Sequence, residues 1–148
     1  MVLGGVRLEH PTGPVGHSDG DVVLHAVTDA VLGALGLPDI GQLFSDRDPR
    51  WEGADSRQFL SEATRLMGEH GYRIGNVDVT IICERPKIGP VKGEIARVIA
   101  ALLGCGVDRV NVKGKTHEKV DAVGEGRAVE THVVALLELV ESSRPTSG

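Results

Sequence analysis

Between positions 17 and 25 the chain reads His17-Ser18-Asp19-Gly20-Asp21, then Val22, Val23, Leu24 and His25. Two imidazoles, two carboxylates and a hydroxyl in so short a stretch can hold a divalent cation beside a phosphate. Asp21, His25 and Asp29 fall at i, i+4 and i+8, on one face of a helix. Carboxylates commonly orient a metal-bound His from behind; a capped, solvated helix face is the alternative for the same spacing. His17 and Ser18 come just before that helix, where unpaired backbone N–H groups favour anions. They suit a phosphate oxygen, and Ser18 equally suits an N-cap.

A second polar cluster, Lys113-Gly114-Lys115-Thr116-His117-Glu118-Lys119, follows a short β-branched run. Its lysines with Thr116 suit a diphosphate, and Glu118 can bring a hard cation to the same oxygens. The glycine spacing of a Walker A loop is absent, and a charged surface turn is the plainer alternative. The third cluster, Asp39-Ile40-Gly41 and Phe44-Ser45-Asp46-Arg47-Asp48, is an acidic loop able to grip the hydroxyls of a sugar or polyol. Turn formation by Asp, Gly and Pro explains it as well. Cys83 and Cys105 have no partner at motif spacing, so they read as small buried or loop thiols rather than nucleophiles or a disulfide framework.

The elements that must position these clusters follow from periodicity. Val2 to Leu8 reads as a strand. A helix runs from about Gly20 to Leu35, stopped by Gly36 and Pro38, and a second from about Ser56 to His70, ended by Gly71. Val77, Val79 and Ile81 alternate with Asp78 and Thr80 in a strand from Asn76 to Cys83. A turn-rich basic loop, Glu84 to Pro90, leads into a helix from about Val91 to Leu103. Arg109–Lys113 and Glu130–Leu139 complete the strands. Alternating strands and helices predict an α+β fold, a two-layer α/β sandwich in which a mixed sheet carries its helices on one face. Residues 1–141 are expected to form one domain, with residues 142–148 a flexible Ser/Pro/Thr/Gly tail.

Composition excludes several classes. A net charge of -5 leaves no basic stripe for nucleic acid, and aromatic residues at 3% supply no stacking platform. No apolar run approaches the roughly 20 residues of a membrane span. Nothing near Met1 reads as a signal or transit peptide, which predicts a cytoplasmic protein.

Taken in order, HSDGDVVLHAVTDAVLGALGLPDIGQLF, SDRDPRWEGADS, GNVDVTIICERPKIGP, VNVKGKTHEKVD and GEGRAVETHVVALL resemble the 2-C-methyl-D-erythritol 2,4-cyclodiphosphate synthases of the non-mevalonate isoprenoid pathway. The resemblance covers nearly the entire chain. It implies that the 2-phosphate of 4-diphosphocytidyl-2-C-methyl-D-erythritol 2-phosphate attacks the β-phosphorus of the same molecule, expelling CMP and closing a cyclic diphosphate. It further implies zinc, or another divalent transition metal, held by His25, and magnesium or manganese held by Glu118. His17 and Thr116 match the residues credited with stabilising the transition state. His17, Ser18, Asp39, Ile40, Gly41, Phe44, Ser45, Asp46, Arg47 and Asp48 match the grip on the methylerythritol phosphate end. Cys83, Glu84, Arg85, Pro86, Lys87, Ile88 and Gly89 match the cytidine pocket, and Lys115, Thr116, His117 and Glu118 the diphosphate segment. The family is a homotrimer, its sheets facing the trimer axis and its active sites between subunits.

The chain departs from the family pattern in places. Members begin with a strand carrying Gly-x-Asp-x-His, whose Asp and His are further zinc ligands, and this sequence opens at Met1-Val2-Leu3 instead. Two expectations follow: a longer gene product with an upstream start, or a shortened trimer that turns over poorly. Ser45 replaces a usual Pro, and Ala122 and Glu125 stand where many bacterial members have Phe and Arg. The KTHEKVD wording is similar to the branch that includes plant enzymes, so a plastid location is implied if the source is a plant or alga. A metal-dependent phosphohydrolase using the same acidic loop is the reading from a different class.

Overall fold

A strand with Val77, Val79 and Ile81 on one side needs a layer to cover that side. In the computed structural model, which describes residues 1–9 and 20–141, all three are fully buried. Strand β3 (Tyr72–Ile82) is the centre of a three-stranded mixed sheet, with β4 (Val110–Lys115) parallel on one edge and β5 (Glu130–Leu139) antiparallel on the other. Three helices form the covering layer. Helix α1 (Val22–Ala34) lies against β5 and α3 (Ser56–Glu69), and α4 (Lys92–Leu103) lies against α3 and β4. Leu24, Val27, Val31, Leu60, Ile95 and Ile99 fill the space between the layers with no exposed surface. The α+β sandwich with helices on one face is therefore the observed fold.

Several element boundaries differ from expectation for local reasons. The stretch expected as one N-terminal strand is a hairpin, β1 (Val2–Leu3) and β2 (Val6–Arg7), because Gly4 and Gly5 both take positive φ, 59° and 77°. Strand β3 starts earlier than the alternation suggests. Its first part pairs with β5 through an irregularity between Ile74 and Asn76, at which a Cβ on Gly75 would come within 3.0 Å of the Leu136 carbonyl oxygen. A short helix, α2 (Ile40–Leu43), occupies part of the segment expected as an acidic loop, and another, α5 (Asp121–Gly124), follows the turn after β4.

Helix α1 begins at Val22, and its N-cap is Asp21 rather than the expected Ser18. Ser18 and the other residues of 10–19 lie outside the described residues, as does the tail 142–148. Asp21 is fully buried. One carboxylate oxygen accepts from Val23 and Leu24 N–H (3.1 and 3.0 Å) and from Gly4 N–H (2.9 Å); the other accepts from Gly5 N–H at 2.8 Å. A single side chain thus caps the helix and holds the hairpin turn onto it. The cap explains why Asp21 is not spent on orienting His25.

Among the described residues, no layer covers the opposite face of the sheet. Val134 and Leu136 of β5 are 72% and 66% exposed there. Asp78, Thr80, Asn111 and Lys113 share that face by strand alternation. Among the described residues no helix is long and apolar enough to cross a membrane.

Replacing Asp21 by Ala strands at least four backbone donors that it satisfies. The expected loss is about 2–4 kcal/mol, from a helix cap together with charge-assisted hydrogen bonds in the interior. Urea denaturation of the variant against the unaltered chain measures it, and a loss below about 1 kcal/mol would show that the cap and turn are held otherwise.

Candidate functional site

The parallel pairing of β3 and β4 continues past the strand end, where Cys83 N–H donates to the Lys115 carbonyl at 3.0 Å. The loop leaving β3 therefore folds over the end of β4. Gly114 permits the closest approach, since a Cβ there would lie 3.0 Å from Ile88 Cβ. Between loop and strand end is a cavity of about 350 Å³ lined by Cys83, Lys87, Ile88, Gly89, Gly114, Lys115 and Thr116, with Lys92 from the start of α4. Three ammonium groups and a hydroxyl around one cavity suit a phosphorylated ligand. The Cys83 thiol donates to the Arg85 carbonyl at 3.1 Å, and burial pushes its pKa up, so it stays neutral and is no nucleophile. Glu84 and Arg85, with Lys87, line a neighbouring cavity of about 470 Å³. Pro86 follows a cis peptide bond.

The turn after β4 is held in an uncommon backbone conformation. Glu118, Lys119 and Asp121 have positive φ of 51°, 67° and 63°. Thr116 Oγ1 accepts from Glu118 N–H at 3.2 Å, which leaves the hydroxyl proton to donate elsewhere. A Cβ on Gly124 would come within 2.5 Å of the Lys119 backbone, so α5 packs directly beneath the turn. His117, expected among the substrate-binding residues, is turned toward carboxylates: its Nδ1 is 2.9 Å from Asp121 Oδ2 and its Nε2 3.8 Å from Glu130 Oε2.

A second, smaller cavity of about 130 Å³ is lined by His25, Ile40, Gly41, Phe44, Asp46, Trp51 and Phe59. His25 comes from α1 and its Nε2 is hydrogen-bonded to Ser56 Oγ at 2.8 Å, with its ring 5.8 Å from that of Phe59. Asp29 does not orient His25. Its Oδ1 accepts from Ile40 N–H at 2.8 Å and ties the acidic loop to α1. Asp39 and Asp48 are likewise used locally, Asp39 capping α2 through Gln42 N–H and Asp48 bound to the Arg50 guanidinium and N–H. The Arg50 pair holds the Asp48 carboxyl below the usual carboxylate range. Ser45 Oγ accepts from Arg47 N–H. These bonds are turn-forming ones, and Asp46 is the loop carboxylate that lines the cavity.

Sequence reasoning missed Ser56, Lys92, Trp51 and Phe59. Ser56 and Lys92 reach their places only through tertiary packing. Trp51, the single tryptophan, set in a run of Asp, Pro, Arg and Gly, is an anomaly the sequence does display. Among the described residues no group of three His, Cys, Asp or Glu side chains could hold a metal ion. His25 and Glu118, the donors the resemblance assigns, do not by themselves compose such a site, and His17 lies outside the described residues.

The His117 contact pulls the Asp121 carboxyl below its usual range, helped by the N–H groups of Gly124 and Val123. A depressed native pKa contributes stability that is present above the ordinary aspartate range and lost as pH falls through the lowered value. Carbon NMR of the Asp121 carboxyl is expected to give a midpoint below that of a free aspartate, moving back up in His117→Ala. A midpoint unmoved by that substitution would show that the helix-end amides alone hold the turn.

Comparison with known proteins places this geometry. The model of the YgbB family matches residues 1–138. The chloroplastic 2-C-methyl-D-erythritol 2,4-cyclodiphosphate synthase of Oryza sativa subsp. japonica is 55% identical over 137 residues, covering 93% of this chain and 62% of the relative. The synthase of Dechloromonas aromatica is 50% identical over 140 residues, covering 95% of this chain and 88% of the relative. The chain spans 58 to 62% of the length of three plant relatives. Among solved structures, an IspF of Plasmodium falciparum in complex with CDP superposes with a TM-score of 0.84 at 38% identity, over 95% of this chain and 85% of that one. The bifunctional IspDF of Campylobacter jejuni gives 0.90 at 35% identity, over 97% and 39%. With the family model running across residues 1–138 and the Dechloromonas relative half identical over 95% of this chain, the chain belongs to the YgbB family.

Proposed function

We propose that the protein is a CMP-releasing, cyclising phosphorus–oxygen lyase, converting 4-diphosphocytidyl-2-C-methyl-D-erythritol 2-phosphate to 2-C-methyl-D-erythritol 2,4-cyclodiphosphate. The observation that carries the reading is the cavity between the 83–89 loop and Gly114–Thr116, with Lys87, Lys92 and Lys115 around it. Relatives in this family carry the synthase name, and solved relatives were captured with CDP. A 2-phosphate oxygen forms a bond to the β-phosphorus, the bond from that phosphorus to the α–β bridging oxygen breaks, and CMP leaves with the electron pair. No protein nucleophile is needed, so the chain's work is to position and to neutralise.

In this reading the 83–89 loop holds the cytidine end, and Lys87, Lys115 and Thr116 take the diphosphate. Thr116 is supported as a donor to a phosphoryl oxygen because its own oxygen is occupied by Glu118 N–H. The acidic loop, with Ile40, Gly41 and Asp46 across from His25, takes the methylerythritol phosphate end. His17 and Ser18 keep the anion-binding role that the resemblance assigns them. Zinc, or another divalent transition metal, with His25 among its ligands, and magnesium or manganese at Glu118 belong to the same proposal; bound there, they would neutralise phosphate oxygens.

We further propose a homotrimer with its sheets facing the axis. Its support is the exposed apolar pair Val134 and Leu136 on an otherwise well-packed sheet. Two cavities set on separate parts of one protomer also fit active sites shared between subunits. No partner nucleic acid or membrane is proposed. The compartment is the cytoplasm, or a plastid for a plant or algal source.

Incubation of the chain with the diphosphocytidyl substrate and Mg²⁺ or Mn²⁺ plus Zn²⁺, followed by phosphorus NMR, tests the activity. The expected products are CMP and the cyclic diphosphate in equal amounts. Inorganic phosphate or an opened diphosphate would instead identify a hydrolase. Lys87→Ala is expected to weaken CMP binding by about tenfold or more, as loss of a charge-assisted contact implies, with unchanged affinity counting against the cavity assignment.

A further inference from the structure

The one tryptophan of the chain stands outside the main core, in a separate aromatic group. Trp51 meets Phe44 edge-on with ring centroids 5.0 Å apart, and Phe59 at 5.6 Å. Phe44 and Phe59 are themselves 4.8 Å apart, and the His25 ring continues the series beyond Phe59 at 5.8 Å. These four rings come from four segments: the acidic loop, the turn at Pro49–Trp51, α3 and α1. Together with Ile40, Gly41 and Asp46 they bound the 130 Å³ cavity. From the outer side Arg50 lies 5.5 Å from the Trp51 ring centroid while gripping Asp48.

The acidic loop has few other anchors. Neither α2 nor the Pro49–Trp51 turn contains a buried residue. The side-chain bonds of Asp39, Ser45 and Asp48 stay within the loop and its turn, whereas Asp29 to Ile40 N–H reaches α1. The buried apolar groups of the segment, Phe44 and Ala54, belong to the aromatic group. Edge-to-face pairs add about 0.5–1.5 kcal/mol each beyond the area they bury, so removing Trp51 takes away one of the two ring contacts that locate Phe44, and its own contact with Phe59.

We infer that Trp51 is a positioning residue for the polyol-phosphate end of the substrate. Its indole clamps Phe44 of the loop against Phe59 of α3, and so sets Ile40, Gly41 and Asp46 across the cavity from His25. The inference rests on the reading of the 39–48 loop as the polyol end. Trp51 touches the loop's own side chain rather than the reacting atoms, so its loss should be felt in substrate binding more than in the chemical step.

The single tryptophan supplies a readout that does not depend on turnover. With divalent cations present, the cyclic diphosphate product is expected to shift Trp51 emission to shorter wavelength and to protect it from acrylamide, whereas CMP alone leaves it unchanged. No response to the product, or an equal response to CMP, overturns the inference. In the assay, Trp51→Leu keeps apolar bulk without the ring geometry and is expected to raise KM about tenfold with kcat within about threefold. Trp51→Phe is expected to restore KM to within about twofold of the unaltered chain, since the ring pairing is kept. CMP release by the unaltered chain tests the functional reading separately, so an unchanged KM in Trp51→Leu against an active background overturns this inference alone. Should Trp51→Leu fail to fold, the emission experiment on the unaltered chain decides.

Discussion

The site depends on one constraint, the parallel register of β3 with β4. Parallel neighbours send both chains out of the sheet at the same edge, and here Ile81 pairs with Gly114 and Ile82 with Lys115 at that edge. The extra bond from Cys83 N–H to the Lys115 carbonyl carries the pairing one step into the loop. Two segments that are far apart in sequence, the 83–89 loop and the turn from Thr116, are thereby held face to face. A parallel pair also requires a crossover, and α4 supplies it while bringing Lys92 to the cavity. Had β4 run the other way, its lysines and Thr116 would leave at the opposite edge and no cavity would form.

The second cavity obeys a different physics. Its walls are rings from four segments rather than the ends of paired strands, so it is located by packing and not by a hydrogen-bond ladder. Packing of rings tolerates small shifts that a register does not. Under the proposed function, the nucleotide end meets a backbone register and the polyol end meets a loop held by ring packing. The carboxylates around that loop mostly serve it internally. Asp39, Asp48 and Asp29 each satisfy backbone donors, leaving Asp46 and His25 as the polar groups on the cavity wall.

Much of this was legible in the sequence because it is local. The alternation of Val77, Val79 and Ile81 located the central strand. The cluster from Lys113 to Lys119 fell at the end of a strand as expected. What was not legible is where the decision is tertiary. Asp21 could have oriented His25 from its spacing alone; it serves instead as a cap because the Gly4-Gly5 turn arrives with two more donors. Ser56, rather than either carboxylate expected on the helix, is hydrogen-bonded to the His25 ring because α3 lies beside α1. The hairpin at Gly4 and Gly5 was visible as a glycine pair, yet the strand pattern of its flanks obscured it.

The uncovered sheet face sets the terms of the trimer proposal. Strand β5 alternates Val133, Ala135 and Leu137 toward the helices with Val134 and Leu136 away from them, so it is apolar on both sides, as strands covered on both faces are. Beside that row, Asp78 accepts from Lys113 at 2.8 Å and from Asn111 at 3.0 Å, and those bonds hold its carboxyl below the usual range. The pair is about 40% exposed here (39% and 44%), where such a contact contributes little. Covering the face with another subunit would desolvate it, and a paired charge without water is tolerated only when its remaining lone pairs and protons are met. A subunit contact on this face is therefore driven by Val134 and Leu136. Its register is restricted by Asp78 and Lys113, which must either stay at a wet rim or find partners across the interface.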